Sequence, residues 1–258
     1  MAMDNLQEKT KPADTGGIGE TIRVIVEALL IALVIRTFVF QPFNIPSGSL
    51  IPTLLIGDYL FVSKYTYGYS KHSFPFSIAP ISGRIWGAEP KRGDIAVFKL
   101  PRDGETDYIK RVIGLPGDRI QMIDGHLRIN GQPVKKEADG FMESRDAFGR
   151  TARIPRYKET LSNGVTYNVI EREGNSGYWD NTIEYVVPMG HFFMMGDNRD
   201  NSTDSRDQSA SGVGFVPYEN LVGRAEIIFF SIEEGTPPWQ LWKWPEDARW
   251  GRFFQKIR

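Results

Sequence analysis

The chain has 258 residues, 41% of them hydrophobic, enough to bury one large all-β core with appendages. Its 31 basic and 32 acidic residues leave a formal charge of −1, which argues against nucleic acid as the main partner and is compatible with a local basic patch. There is no cysteine, so disulfides, thiolate catalysis, cysteine-ligated zinc and iron–sulfur clusters are excluded, and an oxidising compartment fits.

Residues 1–21 read as a polar tail of mixed charge. Residues 22–40, IRVIVEALLIALVIRTFVF, are the membrane candidate. A helix of that length spans about 28 Å, near the thickness of a hydrocarbon core. Arg23, Glu27 and Arg36 interrupt it, but the arginines lie near the ends, where they can snorkel to headgroups. A buried amphipathic helix is the competing reading. No small-x-small site closes the run before Gln41-Pro42, so an uncleaved anchor fits better than a cleavable signal. Lys9, Lys11 and Arg23 on its N-terminal side favour that end inside.

Residues 41–238 read as one β domain. The β-prone runs Ile95–Leu100, Tyr108–Leu115 and Arg119–Ile123 are bounded by Gly, Pro and Asp. Asp124-Gly125 and Asn130-Gly131 signal hairpin turns around a short strand, His126–Ile129. Further strands are expected at Tyr167–Arg172, Thr182–Val187, Phe192–Met195 and Leu221–Ile232. Residues 132–180, richer in charge and glycine, are expected to form an inserted subdomain or flap. The tail, 239–258, holds Trp239, Trp242, Trp244 and Trp250 beside five Lys/Arg, a pattern that suits a membrane interface or packing against the β core.

Three stretches carry candidate chemistry. In Ile45-Pro-Ser-Gly-Ser-Leu-Ile-Pro-Thr53, Ser47 and Ser49 flank Gly48 on a proline-limited turn that can present a hydroxyl to a peptide carbonyl. In Asp107-Tyr-Ile-Lys-Arg-Val112, strand alternation sends Lys110 and Arg111 to opposite faces. A lysine titrates near 10.4, so it must be desolvated to act as a base near neutrality, and the apolar sequence around Lys110 permits that. Met194 to Arg206, MMGDNRDNSTDSR, predicts a tight loop bonded to its own backbone. It could instead hold calcium, although Arg199 and Ser202 stand where an EF-hand wants Asp or Asn. Or it could support a site, with Ser202 on a lysine amine and Asp197 or Asp204 pairing Arg111 or Arg206. Commoner machinery is missing: there is no S-x-x-K, no G-x-S-x-G and no H-E-x-x-H, and His72, His126 and His191 stand isolated.

Taken in order behind the apolar segment, these stretches resemble the bacterial type I signal peptidase family. The likeness runs from about Ile22 to Ile232 and includes FNIPSGSLIPTL, KRGDIAVF, DYIKRVIGLPGD and GDNRDNSTDSR. It implies a mainly β, signal-peptidase-like fold with a LexA-like catalytic core behind one transmembrane helix. It implies a single-pass enzyme of the cytoplasmic membrane, its catalytic domain outside, that needs no cofactor and works as a monomer. Its partners would be the lipid bilayer and the signal peptides of exported preproteins, cut after Ala-x-Ala sites. By motif position, Ser49 would be the nucleophile, Lys110 the general base and Ser47 an oxyanion donor beside the Ser49 amide. Ser202 would orient the lysine, while Asp197 with Arg111 and Asp204 with Arg206 would hold the loop. Phe43, Ile45, Tyr108 and Ile109 would line the substrate cleft. Leu50 departs from the methionine usual after the nucleophile, which bears on pocket shape more than on activity. Two other readings stand beside this one: a self-cleaving Ser/Lys regulator, which would need a partner-binding segment in place of the anchor, and a tethered β module that binds exported peptides without turnover.

Overall fold

A computed structural model describes residues 17–74, 77, 79–145 and 151–258. Helix α1 (Ile18–Phe38) leads into strands β1 (Phe40–Asn44), β2 (Asp58–Ser63), β3 (Ile95–Lys99) and β4 (Asp107–Gly114). Then follow β5 (Arg119–Ile123), β6 (His126–Ile129), β7 (Gln132–Pro133), β8 (Lys135–Arg145), β9 (Thr151–Thr160) and β10 (Thr166–Ile170). The chain continues through β11 (Tyr185–Val186), β12 (His191–Met195), β13 (Val216–Pro217) and β14 (Leu221–Ser231), a short helix α2 (Trp244–Asp247) and β15 (Gln255–Lys256).

The main sheet runs in the order β1-β2-β14-β3-β4-β12-β13, with β15 also on β14, and all its pairings are antiparallel. β14 is long because it serves both sides: β2 along most of one edge, β3 and then β15 along the other. Alternation on β3 divides the interior. Ile95 and Val97 join one apolar cluster with Ile45, Leu50, Leu54 and Leu60, while Ala96 and Phe98 join another with Val112, Phe192 and Met194. A third cluster binds the small sheet β11-β5-β6-β7 to Tyr167 and Val169 of β10 and to Phe193 and Met195 of β12.

The 132–180 stretch holds a three-stranded sheet, β10-β9-β8. β8 and β9 form a long hairpin whose outer part is exposed, and the charged β8 sequence KKEADGFMESR gave no alternation to read. The described residues include no helix long and apolar enough to cross a membrane. α1 covers most of the expected anchor, but Glu20, Arg23, Glu27 and Arg36 fall within its 21 residues. Its apolar side chains are exposed, and Thr37 is the buried residue of the helix. The tail packs on the core through the β14–β15 pairing and the contacts of Trp244 and Phe253 with Phe230, while Trp239, Trp242 and Trp250 stay exposed. The expected tail 1–21 lies outside the described residues up to residue 16.

Candidate active site

After β1, the chain makes a single 3-10 turn over Gly48–Leu50, followed by a cis Ile51–Pro52 peptide. Leu50 and Leu54 are fully buried with Ile45 and Leu60, so apolar anchors on both sides hold the turn that carries Ser49. A leucine buried this way is worth about 2–5 kcal/mol on truncation to alanine. β12 pairs with β4 only at Arg111, Val112 and Gly114, which leaves the Asp107–Lys110 part of that edge open to the turn.

There Lys110 Nζ lies 2.6 Å from Ser49 Oγ and 3.1 Å from the Ile109 carbonyl oxygen. Lys110 is 3% exposed and Ser49 7%. Desolvation pulls Lys110 down from 10.5 to about 8, with Asp204 and Asp197 opposing the shift and Arg206 adding to it. A hydroxyl beside a buried amine that sheds its proton near neutrality has the geometry of a nucleophile and its base. Tyr108 stacks its ring 5.3 Å from Nζ, and Phe43 and Ile109 are half-buried against the cluster that holds Ile45 and Leu50. Ser47 precedes the turn in extended backbone; it is exposed, and its side chain makes no cap hydrogen bond.

Two buried ion pairs stand behind the lysine. Arg111 Nε and Nη2 donate to Asp197 at 2.8 and 2.7 Å, and Arg111 Nη1 donates to the Gly93 carbonyl at 2.8 Å. Arg206 Nε and Nη2 grip Asp204 at 2.9 and 2.8 Å. Burial alone would raise the Asp204 carboxyl, yet Arg206 and the N–H groups of Gly196 and Arg206 hold it below the ordinary carboxylate value. Ser202 is placed differently from the reading that put it on the lysine: its Oγ is buried without a hydrogen-bond partner. It packs instead on Gly196, where an added Cβ would run into the Ser202 side chain and come within 2.5 Å of the Ser49 carbonyl oxygen.

Several residues that touch this site escaped the sequence reading. Asn198 fastens the turn, its backbone N–H donating to the Ser49 carbonyl at 3.1 Å and its side-chain amide to the Gly48 carbonyl at 2.9 Å. Thr53 donates to Asp197 at 2.5 Å. Arg199 makes a bidentate pair with Glu159 of β9 at 2.7 and 2.6 Å, both fully buried, and Tyr167 donates to the same carboxylate at 2.7 Å. From the tail, Arg252 donates to the Thr53 carbonyl at 3.0 Å and pairs with buried Asp58 at 2.5 Å. The sequence offered one usable signal: the dense Asp/Asn/Arg run itself, whose side chains reach other strands as well as their own loop. Among the described residues no group of His, Asp and Glu side chains gathers as a metal cage.

Comparison with known proteins points one way. The family model described as Signal peptidase, peptidase S26 matches residues 18–230. A signal peptidase I from Rickettsia typhi is 42% identical over 212 residues, 80% of this chain and 77% of that one. One from Rickettsia rickettsii is 38% identical, with 100% of this chain and 98% of the relative aligned. A solved signal peptidase I from Enterococcus faecalis is 27% identical over 53% of this chain and 97% of its own, with a TM-score of 0.32.

Proposed function

The chain belongs to the signal peptidase family, peptidase S26, and is a serine endopeptidase that removes signal peptides from preproteins; from that premise we propose that it works through a Ser49–Lys110 dyad at the membrane surface. The observation that carries the dyad is the 2.6 Å contact between a nearly dry lysine amine and the serine hydroxyl. Neutral Lys110 takes the proton of Ser49 as Oγ attacks the scissile carbonyl carbon. The Ser49 N–H and the Ser47 hydroxyl stabilise the oxyanion that develops. The lysine ammonium then gives its proton to the leaving amine, the C–N bond breaks and an acyl ester remains on Ser49. Water, deprotonated by the regenerated amine, attacks that ester; the ammonium returns its proton to Ser49 Oγ as the ester C–O bond breaks, and the signal peptide leaves with a new carboxyl end.

Edge pairing supports an extended substrate. Among the described residues β1 pairs only with β2, and β4 over Asp107–Lys110 pairs only with β3, so both strands offer a free edge to a peptide. Phe43, Ile45, Tyr108 and Ile109 then supply apolar walls for small side chains at the −1 and −3 positions, which is the basis of Ala-x-Ala preference. Asp197 with Arg111 and Asp204 with Arg206 hold the loop. The enzyme acts as a monomer in the cytoplasmic membrane with residues 41–238 outside.

Anchoring by residues 22–40 is supported by the bare apolar residues of α1, among them Ile22, Leu29, Leu30 and Val34. Its charges are manageable in lipid: Arg23 and Glu27 neutralise each other at 2.8 Å across one turn, and Arg36 sits in the last turn. The test is processing of a purified preprotein. Ser49→Ala and Lys110→Met should each stop cleavage and keep a native circular-dichroism spectrum. Near-normal processing by Lys110→Met rejects the dyad. Release of the chain from membranes by alkaline carbonate rejects the anchor.

A further inference from the structure

A cavity of about 780 Å³ opens where α1 meets the β domain, within the size range of small-ligand sites. The end of α1 is fixed there: Tyr69 donates to the Phe38 carbonyl at 2.7 Å, and the Phe38 ring packs edge-on against Tyr69 and Phe74. Arg36, Lys64, Lys71, His72 and Lys99 line the cavity. Among the described residues Arg36, Lys64 and Lys71 have no carboxylate partner within salt-bridge distance.

Three acidic residues also line it, and one of them is paired with a cation. Asp107 pairs with Lys99 at 2.9 Å, and Asp103 accepts from the Thr106 hydroxyl and the N–H groups of Glu105 and Thr106. That leaves the exposed carboxylates of Asp103 and Glu105 against three unpaired cations, a net positive lining. Lys64 is the telling member. It is 3% exposed, and among the described residues its one hydrogen bond goes to the Ser73 carbonyl at 2.5 Å, so two ammonium protons find no acceptor among those residues. An ammonium taken out of water needs an anion or a full set of acceptors. Desolvation and the nearby Arg36 pull Lys64 to about 8, as expected of a cation whose counter-charge is missing.

We propose that this cavity is a binding site for a phosphate ester, held by Arg36, Lys64 and Lys71, and that the ester is the headgroup of an anionic phospholipid. The choice of lipid rests on the reading of α1 as an anchor: the cavity opens at the C-terminal end of that helix, where the headgroup layer would lie. The phosphate chemistry does not depend on that reading.

The experiment uses the full-length chain carrying Ser49→Ala in a neutral detergent, so proteolysis plays no part. Calorimetry follows three titrants: dihexanoyl-phosphatidylglycerol, dihexanoyl-phosphatidylcholine and inorganic phosphate. Saturable binding of the glycerol lipid is expected, at least tenfold tighter than of the choline lipid. Arg36→Gln combined with Lys71→Gln changes partly exposed positions, leaves the thermal transition in place and should weaken binding at least tenfold. Lys64→Met should weaken binding by at least the same factor. No saturable binding of any titrant, or equal binding by wild type and the double variant, overturns the site. Inorganic phosphate bound as tightly as the glycerol lipid overturns the lipid as its source. Failure of the anchor would appear in membrane fractionation and leave phosphate binding intact.

Discussion

Lys64 and Lys110 are each 3% exposed, and desolvation lowers both from 10.5 to about 8. Their partners differ. Lys64 faces the Ser73 carbonyl, which can only accept, and the charge that acts on it most strongly is the cation Arg36. Lys110 faces the Ser49 hydroxyl, which can donate to the amine once that amine is neutral. Asp204 and Asp197 favour its ammonium form, which in the proposed dyad would steady the cation made when it takes a proton. Burial therefore makes a lysine labile, and the group beside it decides whether that lability becomes proton transfer.

The sharpest test exchanges each lysine for methionine. Lys110→Met should lose at least about a thousandfold in kcat, as expected when a general base for a covalent nucleophile is removed. Lys64→Met should lose less than about tenfold on a soluble peptide substrate, since it touches neither Ser49 nor the cleft. Equal losses would break the contrast.

Stability should show the opposite: likeness. Each folded pKa lies below the unfolded value, so the unfolded chain binds more protons between pH 8 and 10.5 and stability rises with pH across that window. Below pH 8 each lysine carries its full burial cost, about 3 kcal/mol from the size of the shift. Both methionine variants should thus be more stable than wild type at pH 7, with the gain fading towards pH 10.5 in denaturant titrations. A Lys110→Met protein less stable at pH 7 would mean that its polar contacts outweigh desolvation.

The pH profile separates the two again. kcat/KM should fall about tenfold per pH unit below a limb near 8, because the protonated amine cannot accept the Ser49 proton. That limb should survive in Lys64→Met. The smallest effect is expected from Leu50→Met, a near-isosteric change in a fully buried site, at less than about 1.5 kcal/mol in stability and about threefold in kcat/KM.

Legibility in the sequence followed the same division between local pattern and distant partner. Short continuous apolar runs bounded by turn residues, such as Ile95–Lys99 and His191–Met195, gave strands close to their observed limits because both faces of those strands are buried. β1 reads FQPFN and β8 reads KKEADGFMESR; one carries a proline and the other charge on both faces, so neither signalled a strand. At the site, the residue types of the nucleophile turn and of β4 were readable, and motif likeness joined them across 61 residues of chain. Glu159 was invisible because its partner Arg199 lies 40 residues away and nothing in a charged strand singles it out. Ser202 shows the reverse: the motif picked it out, yet in this structure its hydroxyl stands alone.

Gly196 carries a consequence of its own. Because a methyl group there would press on both the Ser202 side chain and the Ser49 main chain, the loop and the reactive turn can approach only across a bare α-carbon. In the proposed dyad, crowding at that one backbone position would move the Ser49 hydroxyl away from the Lys110 amine, so catalysis there would depend on a side chain that is missing.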